Sequence, residues 1–407
     1  MKAPLNWRNL PRNVWAATLT SFFTDVASEM LAYLLPLFLA NVLGASTVVI
    51  GLIEGIAETT ASLLKAGSGW LSDKLGNRKW LAVAGYGVSA VARPFLLVVT
   101  AWPGVLAVRF SDRVGKGIRT APRDALIADS IALDQRGVAF GLHRAGDTFG
   151  AMVGQGLALT IVLLAQAQAL TLQRETFQWV VVAAVIPGVL GVLVLAFGVR
   201  EAAVAKADRA VGIPKVALPR QFWWFLGVVA LFTLGNSSDA FLVLRAQERG
   251  LNVVQVLGML MVFNLLYAVL AGPLGALSDR VGRRRVLIGG WLVYALVYAG
   301  FALAGAGWQI AGLFVVYGVY YAAAEGVAKA LVADLTTSEQ RGMAYGLFNA
   351  TVGLMALPAS VLAGVVWQGV GAWGGFGASA PFWLGAGLAL AAGVLLWGVL
   401  GQPVAAD

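Results

Sequence analysis

Long apolar runs constrain this chain more than any other feature. Twelve stretches are long enough to cross a bilayer as a helix: near 14–40, 47–71, 79–99, 102–130, 137–166, 176–199, 222–245, 253–277, 285–304, 308–333, 341–366 and 380–400. Inside a bilayer, every backbone N–H and C=O must find its partner within the protein. Runs of this length meet that demand as α-helices. The predicted fold class is an all-α integral membrane protein with twelve transmembrane helices. Composition agrees, since 59% of the 407 residues are hydrophobic and 12% are charged. Soluble domains carry about a quarter charged residues.

The loops predict the orientation. One side of the membrane receives Lys2, Arg8, Arg12, Lys74, Arg78, Lys79, Arg136, Arg200, Lys206, Arg209, Lys215, Arg220, Arg280, Arg283, Arg284 and Arg285. The loops of the other side hold Arg174, Arg245 and Arg249. The positive-inside rule then places both termini in the cytoplasm, with the chain in a bacterial-type cytoplasmic (inner) membrane. The first apolar run extends past the length of a signal-peptide core and is read as an uncleaved span. Much of the net charge of +9 sits in these short loops, so no nucleic acid partner is expected.

The chain also repeats itself. Gly69-Trp-Leu-Ser-Asp73-Lys74-Leu-Gly76-Asn77-Arg78-Lys79 recurs as Gly275-Ala-Leu-Ser-Asp279-Arg280-Val-Gly282-Arg283-Arg284-Arg285, at an offset of 275 − 69 = 206. Ala125-Leu-Ile-Ala-Asp129 recurs as Ala330-Leu-Val-Ala-Asp334, and Gln135-Arg136-Gly137 as Gln340-Arg341-Gly342, both at an offset of 205. Three blocks at nearly one offset indicate a duplication. The polar stretch 200–220, with Pro214 and Pro219, reads as a linker. The predicted domains are a six-helix bundle over 1–199, the linker, and a second bundle over 221–407.

Charges inside the apolar runs are the functional signal. The fourth span carries Arg109, Arg113, Lys116, Arg119 and Arg123 at helical spacing. At about 100° per residue, they fall within an arc of roughly 120°. A central Lys or Arg costs about 2.5–3.5 kcal/mol on insertion scales, so this stripe must face carboxylates or a water-filled cavity. Asp25 and Glu29 on span 1 and Glu54 and Glu58 on span 2 lie level with Arg109 and Arg113, while His143 and Asp147 on span 5 lie nearer the deeper cations. Span 7 carries Asn236 and Asp239, and span 10 carries Tyr317, Tyr321, Glu325 and Lys329. A buried carboxylate beside an Arg can take a proton and release the cation. Asp25, Glu29, Glu54, Glu58, His143, Asp147 and Asp239 are therefore the expected proton-coupling groups. The alternative is a set of permanent salt bridges that staple helices.

These features together resemble the major facilitator superfamily: twelve spans, two related halves, a central loop, and the motif Gly-x-x-x-Asp-Lys/Arg-x-Gly with its basic run after the second span of each half. The resemblance implies a secondary transporter working by alternating access. It implies that the motif residues Gly69, Asp73, Arg78, Gly275, Asp279, Arg280 and Arg284 act as a gate latch. It further implies that spans 1, 4, 7 and 10 line a central cavity. Arg109, Arg113, Lys116, Asn236, Tyr317, Tyr321 and Glu325 would then bind substrate. Arg113 and Gly117 match part of an exporter pattern, with Lys116 in the place of its Gln. The fifth span has Gly146, Gly150 and Gly154 but lacks that pattern's Gly-Pro pair.

The expected function is proton-coupled export (antiport) of a small amphipathic or anionic solute. The alternatives are a proton-coupled importer of an anionic metabolite and, more distantly, a non-transporting membrane receptor. With no cysteine and a single histidine, an enzyme is not expected, nor is a metal site or cofactor. The expected partners are the solute, protons and the lipid bilayer, and the expected state is a monomer.

Overall fold

The computed structural model describes residues 10–132, 135–201, 217–337 and 340–399. Most of the predicted linker lies outside the described residues, as does the side chain of Asp73. The helices are α1 (Arg12–Ala32), α2 (Leu34–Asn41), α3 (Thr47–Leu75), α4 (Arg78–Ala92), α5 (Trp102–Asp129), α6 (Arg136–Gln166) and α7 (Arg174–Gly198). They continue as α8 (Arg220–Gly235), α9 (Ala240–Glu248), α10 (Val253–Val281), α11 (Arg283–Leu303), α12 (Gly307–Asp334), α13 (Arg341–Gln368) and α14 (Ala380–Val399). A short 3-10 turn, Arg93–Leu97, extends α4. Among the described residues, eleven helical stretches are long and apolar enough to cross a membrane. The remaining predicted span is α5, equally long but heavily charged.

The chain divides into two compact units. Unit 1 comprises Met1–Gly44, Thr60–Ala167 and Leu172–Gly212; unit 2 comprises Ala45–Thr59, Gln168–Thr171 and Ile213–Asp407. Residues 45–59 and 168–171, inside the first predicted bundle, thus group with unit 2. The first half of α3 joins unit 2 because small residues recur every fourth position on one face. Thr47 Oγ1 donates to the Gly364 carbonyl at 3.0 Å, and Thr59 Oγ1 to the Gly353 carbonyl at 2.6 Å. Between them, Gly51 and Gly55 lie against Ser360 and Leu357 of α13. Such contacts drive helix association where no hydrophobic effect operates.

Unit 1 packs on the same principle. The glycines of α6 seat on α1: a Cβ on Gly150 would come 2.5 Å from the Phe22 carbonyl oxygen, and one on Gly146 would come 2.6 Å from Thr18. On α4 and α5, Gly85 and Gly115 bring the two backbones together. A small core of Ala16, Ala82, Tyr86, Leu126, Leu195 and Val199 closes between α1, α4, α5 and α7.

The duplication is visible in three dimensions. Helices α3 and α10 both run 29 residues and start at an offset of 253 − 47 = 206. Helices α5 and α12 both run 28 residues, at 307 − 102 = 205. The lost residue lies in one turn. Gly76 and Asn77 join α3 to α4, whereas Gly282 alone joins α10 to α11, at a φ of 103° that suits glycine.

That change corrects one sequence match. Arg78 binds Asp129 and the Ala125 carbonyl, and its counterpart by position in the fold is Arg283, which binds Asp334 and the Ala330 carbonyl. Arg284, which the motif aligns with Arg78, instead donates to the Trp397 carbonyl and lies over the Trp397 ring. Asp279 pairs with Arg283 at 3.3 Å, and Arg280 is exposed. The motif glycines do not bring helices into forced contact. Among the described residues, a Cβ on Gly275 would meet nothing within 4 Å, and one on Gly69 would make an ordinary 3.5 Å contact with Ala121.

Gly150→Ala is expected to destabilise the protein by about 1–3 kcal/mol through overpacking. Gly156→Ala, at a site with open space, is expected to be neutral or slightly stabilising. Thermal unfolding in detergent compares the two; equal melting temperatures would contradict a tight α1–α6 seam.

Candidate functional site

In unit 1 the cationic stripe of α5 does not stand bare. Asp112, absent from the sequence reading, sits in its middle and is buried. Its Oδ1 accepts from Arg93 Nε at 3.2 Å and from Arg93 Nη2 at 3.0 Å. Arg93 opens the 3-10 turn and is 4% exposed. Arg113 Nε lies 3.8 Å from Asp112 Oδ2. Arg119 donates to Ser89 Oγ at 2.7 Å and lies 4.5 Å over the Tyr86 ring. Arg123 donates to Ser21 Oγ at 2.9 Å and to Asp124 at 2.8 and 3.0 Å. Lys116 is exposed and Arg109 half-buried.

The carboxylates of α1 differ from Asp112. Asp25 is acted on electrostatically by Lys116, Arg119 and Arg123, the deeper cations of the stripe, and by Arg93. Glu29 accepts from Gln155 Nε2 at 3.1 Å, a neutral donor. On α6, His143 Nε2 lies 3.7 Å from Asp147 Oδ1, and both side chains are largely buried.

In unit 2 the seventh span breaks. Gly235-Asn-Ser-Ser-Asp239 strings together weak helix formers whose side chains compete for backbone partners. The chain leaves the helix after Gly235 and resumes at Ala240. Tyr294 Oη donates to the Gly235 carbonyl at 2.8 Å. Asp239, beside the break, accepts from Tyr317 Oη at 3.1 Å and from Tyr321 Oη at 3.2 Å. Asn236 Nδ2 donates to Tyr320 Oη at 3.2 Å. Glu54 and Glu58, on the part of α3 that belongs to this unit, act electrostatically on Asp239. Tyr317 is 0% exposed, stacked on Phe263 inside an aromatic cluster. Glu325 accepts from Tyr267 Oη at 2.6 Å and from Lys329 at 3.2 Å.

The two halves use equivalent positions for different chemistry. At the offset of 205, Arg93 corresponds to Tyr298 and Asp112 to Tyr317. The first pair is ionic; the second is two rings with centroids 6.1 Å apart. Sequence reasoning missed Arg93, Asp112, Tyr86, Gln155 and Tyr298. The repeat offset carries a signal for some of them, since Tyr317 points back to position 112.

Asp112→Asn leaves Arg93 buried without its counter-charge and is expected to destabilise the protein by about 3–5 kcal/mol. The double change Arg93→Met and Asp112→Leu is expected to recover most of that loss. Chemical unfolding of the purified variants checks this; a mild Asp112→Asn phenotype would contradict a buried, tightly held pair.

Known proteins share both sequence and fold. The sequence model of the Major Facilitator Superfamily matches residues 17–270 and 241–406. An uncharacterized MFS-type transporter of Methanocaldococcus jannaschii is 37% identical over 371 residues, covering 89% of this chain and 90% of that protein. The tetracycline resistance protein, class C, of Escherichia coli is 36% identical over 110 residues, covering 27% of this chain and 28% of that protein. The crystal structure of the nucleoside transporter NupG has the same fold, with a TM-score of 0.77 at 14% identity, covering 96% of this chain and 100% of that chain. A helical membrane fold in duplicate, a motif repeated in both halves and a family match over nearly its whole length place this chain in the Major Facilitator Superfamily of transporters.

Proposed function

We propose that this transporter is a proton-coupled exporter, an antiporter for a small amphipathic or anionic solute in the cytoplasmic membrane. One observation carries the reading. Each unit holds a half-buried carboxylate that is bonded to neutral donors: Glu29 to Gln155 in unit 1, and Asp239 to Tyr317 and Tyr321 in unit 2. A carboxylate held this way can take a proton without breaking an ion pair, whereas Asp112 is committed to Arg93.

Asp25, which feels the charge of four cations, is the group that trades partners with them when its own charge changes. Arg109, Arg113 and Lys116 supply positive charge for an anionic group of the solute, and Arg suits planar carboxylates through its paired donors. Within unit 2, Asn236, Tyr321 and Glu325 are the groups proposed to meet a solute. Export is supported by the partial exporter pattern at Arg113 and Gly117, and by the local identity to a protein of tetracycline resistance.

The test is proteoliposome transport with benzoate, salicylate and tetracycline, read by a pH dye in the lumen. Wild type is expected to move protons opposite to at least one of these solutes. Glu29→Gln and Asp239→Asn are expected to lower that proton movement at least about tenfold. Co-directional proton movement would mean import, and no proton movement with any solute would remove the coupled reading.

A further inference from the structure

Among the buried ionisable groups of unit 1, one pair has facing atoms that bond to nothing. Both ring nitrogens of His143 and Oδ1 of Asp147 are buried without a hydrogen-bond partner. The side chains are 5% and 18% exposed. Buried polar groups left this way are rare and call for an explanation.

The Nε2···Oδ1 separation of 3.7 Å is too long for a hydrogen bond, which needs about 3.2 Å or less. The backbone leaves little freedom to satisfy these atoms otherwise. Gly146 and Gly150 flank Asp147, and both are packed tightly on α1, the first against the Thr18 side chain and the second against the Phe22 carbonyl. The pair therefore sits on a fixed stretch of helix, where a half-ångström side-chain adjustment brings the two atoms into hydrogen-bonding range.

The charges around the pair balance. Arg123 from α5 and Arg144 from α6 act on His143. Asp147 feels the same two cations, together with Asp25 from α1 and Asp124 from α5. Two positive groups thus face two negative ones. With the ring neutral and the carboxyl ionised, the pair has a net charge of minus one. One added proton takes the pair to zero and, if it goes to the ring, leaves a hydrogen on Nε2 whichever tautomer the neutral ring had. No bond between heavy atoms changes and nothing is oxidised.

We propose that the His143–Asp147 pair is a second proton-carrying element of unit 1, beside Glu29. Its loading removes one negative charge from the surroundings of Arg123 and leaves that cation to Ser21, Tyr86 and Asp124. The α5 stripe thereby senses the proton through its last member. The proposal rests on the coupled-transport reading above and adds this pair to Glu29 and Asp239 as a group that carries a proton.

The first test uses the fact that the chain has a single histidine. Full-length protein in lipid nanodiscs, with heavy nitrogen in its histidine ring, gives magnetic resonance signals from His143 alone. Between about pH 5 and 8 the ring is expected to change protonation or hydrogen bonding. Asp147→Asn is expected to move that transition by about tenfold or more in proton concentration. A ring signal constant over the range, or the same in both proteins, overturns the proposal.

The second test is transport. With the solute that moves in wild type, Asp147→Asn is expected to keep counterflow within about threefold and to lose solute-driven proton movement at least about tenfold. Should that variant fail to fold, His143→Gln carries the same test. Proton movement at the wild-type level in either variant overturns this assignment alone. Absence of proton movement in wild type overturns the coupled reading beneath it.

Discussion

A guanidinium inside a membrane protein must be given a partner, and much of unit 1 is arranged around that demand. Arg93 and Asp112 hold each other between the 3-10 turn and α5. Around them, Arg119 rests on Ser89 and the Tyr86 ring, and Arg123 on Ser21 and Asp124. The backbone contact at Gly85 and Gly115 makes these bonds possible, because a side chain at either position would push α4 from α5. Packing and electrostatics are thus one problem here: the glycines set the distance, and the distance lets neutral hydroxyls reach cations.

Unit 2 answers the same geometry with phenols. Where unit 1 has Arg93 and Asp112, it has Tyr298 and Tyr317, and where unit 1 has Lys116, it has Tyr321. The ring hydroxyls gather on Asp239 and on the carbonyl freed by the break in the seventh span. A phenol is far less costly to bury than an ion, so this half can pack Tyr294, Tyr298 and Tyr317 fully inside. The duplication kept the scaffold and let the chemistry of its two halves diverge.

Much of the fold was legible in the sequence. Apolar length predicts the spans, and the repeated blocks locate Asp129 and Asp334, which bind equivalent arginines. The weak helix formers around Asn236 fall where the helix breaks. Partners were less legible, because helical spacing gives a face and not what lies across from it. Arg113 and Lys116 share the predicted stripe, yet Arg113 is buried and Lys116 exposed. Arg93 sits near the end of an apolar run, where nothing local shows that it turns inward to Asp112. Arg284 was matched to Arg78 because the motif alignment cannot see a residue lost inside the turn itself.

That lost residue matters for anyone who would recombine the halves. A missing residue normally rotates all that follows by about 100° about the helix axis. Here the turn absorbs the change, with Gly282 at a positive φ doing alone what Gly76 and Asn77 do together. A hybrid that exchanges α3 with α10 must therefore count 206 residues, and one that exchanges α5 with α12 must count 205. A crossover between α10 and α11 that ignored the step would present Arg284, not Arg283, to Asp334, and the second half would lose this ion pair without losing a single motif residue.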